Sequence, residues 1–186
     1  GKYREGLTRL AEVPHSHQST EEAELQLLRA RAHLMLGSYD EAANICKQHE
    51  LQLPAWLEST HYWLVGLIAF YQGNYQDAAN AYSDARDRYK QSGNAIQEAN
   101  VLNAIGLLHY RKNELEKAFE AFSEALAIGD KINDRERVLL TLMNLAIVHQ
   151  VRGNWRLAES RYIESLRMAR ITGNQNGVMK VLQNLG

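Results

Sequence analysis

Small and aromatic residues recur along this chain at a fixed helical stagger. Ala78, Tyr82 and Ala85 stand at i, i+4 and i+7, as do Ala118, Phe122 and Ala125, and again Ala158, Tyr162 and Ser165. That spacing puts each trio on one stripe of an α-helix. The small residue lets a second helix approach, and the ring fills the space beyond it. Further small residues, Ala30, Gly66, Gly106 and Ala146, stand 12 positions before each alanine of the series Ala42, Ala78, Ala118 and Ala158. There the partner helix of a hairpin would cross. Between the two helices the pattern breaks at a Gly-x-aromatic turn: Gly37-Ser38-Tyr39, Gly73-Asn74-Tyr75 and Gly153-Asn154-Trp155. Glycine suits the left-handed residue that ends a helix, and Asn113, which takes that place in another unit, is the next-best residue for it. The second helices stop at Gly93-Asn94, Asn133-Asp134 and Gly173-Asn174. Each is a left-handed stop followed by a side chain able to cap the next helix.

These features repeat. The small residue five places after the turn glycine or asparagine falls at Gly6, Ala42, Ala78, Ala118 and Ala158, with successive differences of 36, 36, 40 and 40. The preceding helix repeats too, as VLNAIG (101–106), TLMNLA (141–146) and VLQNLG (181–186), each 40 residues on. One period through both halves of the unit predicts stacked two-helix repeats. The expected layout is one array over 1–186. Residues 1–12 form the second helix of a truncated repeat, and hairpins follow at 19–50, 55–91, 94–131 and 134–171. Residues 174–186 form the first helix of another truncated repeat. Pro14 and Pro54 fall in the connections. The fold class is all-α: an α-solenoid of antiparallel helical hairpins, wound as a right-handed superhelix.

These residues resemble the tetratricopeptide repeat family. Its signature runs Trp, Leu-Gly, Tyr, then Ala, Phe, Ala and Pro over about 34 residues. The Leu-Gly pair corresponds to Val65-Gly66, Ile105-Gly106, Leu145-Ala146 and Leu185-Gly186, and the Ala-x3-Phe pair to Ala78/Tyr82, Ala118/Phe122 and Ala158/Tyr162. The signature Trp is replaced by Gln26, Tyr62, Leu102 and Leu142, and the closing Pro is missing. The 40-residue period is similar to the repeats of large bacterial ATP-dependent transcription regulators and of kinesin light chains. The resemblance implies an array that binds peptides, partner proteins or a neighbouring regulatory domain.

Composition narrows the picture further. Lys+Arg 21 against Asp+Glu 22 gives a net charge of -1, without the global field of a nucleic-acid binder. The richest apolar run, Tyr62 to Tyr71, is about half of the roughly 20 residues that a membrane span needs. A single cysteine excludes an internal disulfide and suits a reducing, cytoplasmic setting. With no initiator Met, the chain reads as a segment of something longer.

Candidate chemistry is sparse. His33, His109 and His149 share one repeat position, which suits packing between helices with one ring nitrogen satisfied. They belong to different repeats and should not converge on one ion. His15-Ser16-His17 has no third ligand near it in sequence. No glycine precedes a Lys-Ser/Thr phosphate loop, and no serine sits in a G-x-S-x-G turn. Cys46 occupies a ring slot and should pack. We therefore expect no enzyme activity, cofactor, metal or catalytic residue. The last quarter is locally basic, with Arg152, Arg156, Arg161, Arg167, Arg170 and Lys180 against Glu159 and Glu164. Such a patch can meet acidic protein, phosphate or RNA, although a solvated outer face is the plainer reading.

In the resembling family the first helix of each hairpin lines the concave groove. Carried onto this sequence, that stripe is Leu27, Arg31, Leu34 and Met35; then Trp63, Leu67, Phe70 and Tyr71; then Asn103, Leu107, Tyr110 and Arg111; then Met143, Asn144, Ile147 and Val151; and finally Gln183 and Asn184. The Lys/Asn/Arg clamp with which some relatives hold a C-terminal carboxylate is not reproduced. Each buried aromatic removes about 150–250 Å² from water, an upper limit of roughly 4–6 kcal/mol. A stripe this apolar calls for a cover, unless a tight superhelix lets its residues cover one another. The expected occupant is a protein or peptide partner: an amphipathic helix, an extended segment or a flanking domain. The apolar anchors would be Trp63, Leu67, Phe70, Tyr71, Leu107, Tyr110, Met143 and Ile147. Asn103 and Asn144 would meet peptide backbone, and Arg31 and Arg111 would meet acidic groups. Direct nucleic-acid or membrane binding is not expected, and dimerisation through the exposed array ends is an open alternative. So are a structural or self-association spacer, and the sensory arm of a transcription regulator or signalling enzyme that takes a small ligand or its own effector domain.

Overall fold

A computed structural model describes residues 2–11, 20–49 and 53–185. Pro14 and the His15-Ser16-His17 run lie outside the described residues, as do Leu51 and Gln52. Among the described residues the chain forms ten helices and no strand. It divides into two compact units, 1–91 and 92–186.

The first unit holds α1 (Lys2–Ala11), α2 (Thr20–Met35), α3 (Tyr39–His49), α4 (Ala55–Gln72) and α5 (Tyr75–Gln91). Helices α2 and α3 form one hairpin and α4 and α5 the next, and the two first helices, α2 and α4, also touch. Leu27, Ala30 and Leu34 of α2 meet Ala42 and Cys46 of α3 and Leu57, Leu64 and Ile68 of α4 in one buried cluster. Pro54 (φ -65°) sets the entry to α4, where a missing N–H costs nothing. The crossing of α4 and α5 depends on Gly66. A Cβ there would lie 2.4 Å from the Tyr82 ring, which is fully buried.

The second unit holds α6 (Ala95–Arg111), α7 (Leu115–Lys131), α8 (Arg135–Val151), α9 (Trp155–Ile171) and α10 (Gln175–Leu185). Helices α6 and α7 pair, α8 and α9 pair, and α10 packs on α9. The glycine–ring contact recurs: a Cβ on Gly106 would stand 2.5 Å from Phe122. In the following hairpin Ala146, Ala158 and Tyr162 pack together with Val181 of α10. Ser165 stands where the other units have alanine. It is fully buried and donates its hydroxyl to the Leu139 carbonyl at 3.1 Å.

The helix stops are left-handed where the sequence places them: Gly37, Gly73, Gly93, Gly153 and Gly173, with Asn113 (φ 60°) and Asn133 (φ 56°) as the two non-glycine cases. Gly37, Gly73, Asn113, Asn133, Gly153 and Gly173 each close a Schellman motif. At Asn113, for example, its own N–H reaches Tyr110 O at 3.0 Å and the Glu114 N–H reaches His109 O at 2.9 Å. Asn94, Asp134 and Asn174 then cap the next helices by accepting from the N–H of Gln97, Arg137 and Gly177. Within each unit that sharp reversal keeps the helices on either side of it antiparallel.

Candidate partner-binding faces

In the first unit, the stripe expected to meet a partner divides between core and surface. Leu27 and Leu34 point inward and belong to the buried cluster. Arg31 is exposed on α2, and no described side chain pairs with it. On α4, Trp63 is half-buried with its ring 5.6 Å from Tyr82, and Leu67 packs partly against the core. Phe70 stands edge-on to Tyr71 at 5.5 Å and close to Tyr75 at 6.0 Å. Tyr71 is 56% exposed and lies flat on Tyr39 at 5.6 Å. An aromatic ridge therefore forms at the turn end of the two hairpins, with Tyr71 as its most exposed member.

In the second unit, Asn103 is committed internally. Its amide nitrogen donates to Ala99 O at 3.1 Å and lies 2.9 Å from Thr141 Oγ1. Its carbonyl oxygen accepts from Thr141 at 3.1 Å and from the Asn144 amide at 3.3 Å. Thr141 is fully buried, so this small network ties α6 to α8. Arg137 adds a second tie by donating to the Asn100 carbonyl oxygen while pairing with Asp134 at 2.7 Å. Asn144, in contrast, keeps its carbonyl oxygen and one N–H unfilled among the described residues. Met143 is 7% exposed and packs with Ala146, Ala158, Tyr162 and Val181, so its side chain is spent on the core. Ile147 is half-buried beside it. Leu107 is 39% exposed, Arg111 is exposed, and Tyr110 packs partly against Phe122 and Val148.

Leu140 was not foreseen. It is 50% exposed and stands with Asn144, Ile147 and Val151 at i, i+4, i+7 and i+11 on α8. That periodicity was available in the sequence. Val151 at the end of the same stripe is also 50% exposed.

The charged groups near these faces are structural. Arg88 holds Glu58 at 3.0 Å and lies over the Tyr62 ring at 4.4 Å. His109 Nδ1 meets Glu114 at 2.7 Å, with Lys112 and Lys117 close by. Hydrogen bonds from His109 first, and then from the two lysines, hold the Glu114 carboxyl down at about 2. His149, at the matching repeat position, stands edge-on to Phe119 at 5.4 Å with Nδ1 buried and unpartnered. Burial, reinforced by Arg161, lowers its pKa below 6.5. One satisfied ring nitrogen therefore describes His109 and not His149. Cys46 is a buried packing residue, and its carbonyl meets His61 Nε2 at 3.1 Å. No group of three or more His, Cys, Asp or Glu among the described residues is placed to hold a metal. None of the described helices is long and apolar enough to cross a membrane.

Comparison with known families agrees with this architecture. Three tetratricopeptide repeat models match residues 1–51, 57–131 and 138–172. The chain belongs to the tetratricopeptide repeat family. A curated relative is a DnaJ homolog subfamily C member 7 homolog from Dictyostelium discoideum, 25% identical over 141 residues. The match covers 71% of this chain, which spans about 25% of that relative's length. Among solved structures, a signal transduction ATPase with a tetratricopeptide repeat sensor from Pyrococcus horikoshii superposes with a TM-score of 0.85. It is 15% identical, over 97% of this chain and 29% of the other. The Rap conjugation gene regulator of the plasmid pLS20, in complex with the Phr* peptide, gives a TM-score of 0.76 at 20% identity. That match covers 96% of this chain and 50% of the regulator.

Proposed function

We propose that this chain is a protein–peptide interaction scaffold, with partner segments taken up by the first-helix faces of the hairpins in each unit. In the first unit the contact residues are Arg31, Trp63, Leu67, Phe70 and Tyr71. In the second they are Leu107, Tyr110, Arg111, Asn144 and Ile147, joined by Leu140. The carrying observation is in the second unit. Leu140, 50% exposed, shares a stripe of α8 with Asn144, and Leu107, 39% exposed, stands one turn beyond Asn103, which accepts from the Asn144 amide; that amide still has a donor and an acceptor to offer. Apolar anchors around an unfilled amide suit a peptide, whose side chains need pockets and whose backbone needs partners. Asn103 contributes indirectly, by fixing the Asn144 amide. The likeness to a sensor-bearing ATPase and to a regulator with a bound peptide supports a part in regulation, with the array as the docking or sensing arm of a larger protein.

The test uses the intact 186-residue chain. Linear 12-residue peptides are selected on it from a random library, and their affinities are measured for the chain and its variants. Tyr71→Ser, Leu107→Ser and Asn144→Ala are each expected to weaken some of the selected peptides about tenfold, which is roughly 1.4 kcal/mol, with unchanged helix content. Peptides indifferent to all three would reject these faces as the site.

A further inference from the structure

Helix α9 carries an outward face unlike that of α7, the equivalent helix in the same unit. Opposite its buried stripe of Ala158, Tyr162, Ser165 and Ala169, α9 presents Arg156, Ser160, Ile163, Arg167 and Ile171 to solvent. Forty residues earlier, the same positions of α7 carry Glu116, Glu120, Ser123, Ala127 and Lys131. Two polar positions have become isoleucine, and Glu116 and Ala127 have become arginine. Beside the stripe, Lys117 of α7 corresponds to Leu157 of α9. Ile163, Ile171 and Leu157 are 40%, 63% and 53% exposed.

Stacking of a further repeat does not explain this face. Helix α7 has the α8/α9 hairpin packed beyond it, and there Ser123 is partly covered and Glu116 pairs with Arg152, yet Lys117, Glu120, Ala127 and Lys131 remain exposed. The positions of Lys117 and Lys131 thus point away from the stacking direction, so Leu157 and Ile171 gain nothing there from a longer array. Arginines outnumber the carboxylates on this surface, which are Glu159 and Glu164. Arg161 is paired with Glu164 at 2.9 Å, whereas Arg156, Arg167 and Arg170 have no partner among the described residues. Arg156, Ser160, Ile163, Arg167 and Arg170 follow the 4-3-4-3 spacing of a helix-packing seam, with Ile163 as the apolar residue among them. Cations flank an isoleucine along that seam, so its complement is a helix with carboxylates around an apolar residue.

We infer that the outer face of α9 is a second docking surface, independent of the first-helix faces, and that it takes an acidic amphipathic helix of a partner protein. The apolar contact fixes where the helix lies, and the arginines select its charge. Helix α9 is 17 residues long, about 25 Å at 1.5 Å per residue, so a partner helix of nearly five turns would span it.

The probe is a stapled 18-residue helix with leucine on one seam and glutamate flanking it. A copy with lysine for every glutamate and a single-stranded RNA 12-mer serve as controls. The discriminating variant gives α9 the residues that α7 already bears: Arg156→Glu, Ile163→Ser and Arg167→Ala together. Those side chains are tolerated at the same register of α7, so the melting temperature should not move. The acidic helix is expected to bind the chain, to weaken as salt is raised, and to lose at least tenfold affinity to the triple variant. The lysine helix should not bind, and Asn144→Ala should leave the interaction intact. Failure of the acidic helix to bind, equal binding to the triple variant, or equal binding of the lysine helix would each overturn the inference. So would RNA binding at least as tight as the acidic helix, or self-association of the chain that the triple variant abolishes.

Discussion

Tyr82, Phe122 and Tyr162 occupy one slot in three consecutive hairpins, and the hydroxyls of the two tyrosines have different fates. Tyr162 donates to Gln150 Oε1 at 3.0 Å. Tyr82 is fully buried, and its hydroxyl has no partner among the described residues. Burial drives its pKa far above 10, because a phenolate there would be uncompensated. An unsatisfied buried hydroxyl costs about 1–3 kcal/mol. Tyr82→Phe, which copies the next repeat, should therefore hold or raise stability by up to about 1–2 kcal/mol in urea unfolding, whereas Tyr162→Phe should lower it. Loss on Tyr82→Phe would show that the hydroxyl is satisfied after all. The ring slots were legible from spacing, since the size of a ring and the smallness of Gly66 and Gly106 are properties of single residues. The hydroxyl's isolation was not, because it depends on which atoms of other helices come within 3.5 Å. The same distinction separates Met143 from Leu140. Both are apolar and three residues apart, and only packing decides that the first is 7% and the second 50% exposed.

At the scale of the element, the helix ends were the most legible feature. A left-handed residue must close each Schellman turn, and glycine or asparagine stands at every such place. The two asparagines make the point testable. Asn113 has φ 60°, a region that costs an ordinary residue about 1–2 kcal/mol. Asn113→Ala should lower stability by about 1 kcal/mol, and Asn113→Gly should not. Equal losses would mean that the side chain, and not the dihedral, matters there. The capping side chains followed equally well, because Asn94, Asp134 and Asn174 act on N–H groups three residues away. The tie between α6 and α8 was hidden. Asn103 and Asn144 read as a pair offered to a partner's backbone, but Asn103 is bonded to Ala99, Thr141 and Asn144. Its partners on α8 are 38 and 41 residues away, and sequence spacing alone does not bring them together.

For the whole molecule, the titrating groups with lowered pKa values point in one direction. His149 is held neutral by burial, so below 6.5 the unfolded chain takes up protons that the folded chain resists, and stability falls. Glu114 is held ionised, so its contribution is complete above 4.5 and disappears as pH falls toward about 2. The melting temperature should therefore decline in two stages on acidification. His149→Gln should flatten the first stage and Glu114→Gln the second. A melting temperature that is level from pH 7 to pH 5 would contradict the buried, unpartnered state of His149. By itself the sequence determined the helices, their stops, their pairing into hairpins and the ring-on-glycine contacts, because all of these follow from residue size and backbone preference at short, repeating distances. The tertiary structure decided which atoms of the first-helix stripe are spent and which are free. It also decided that the basic stretch of α9 carries exposed isoleucines along its arginine seam, since exposure is a property of the neighbours that other helices supply.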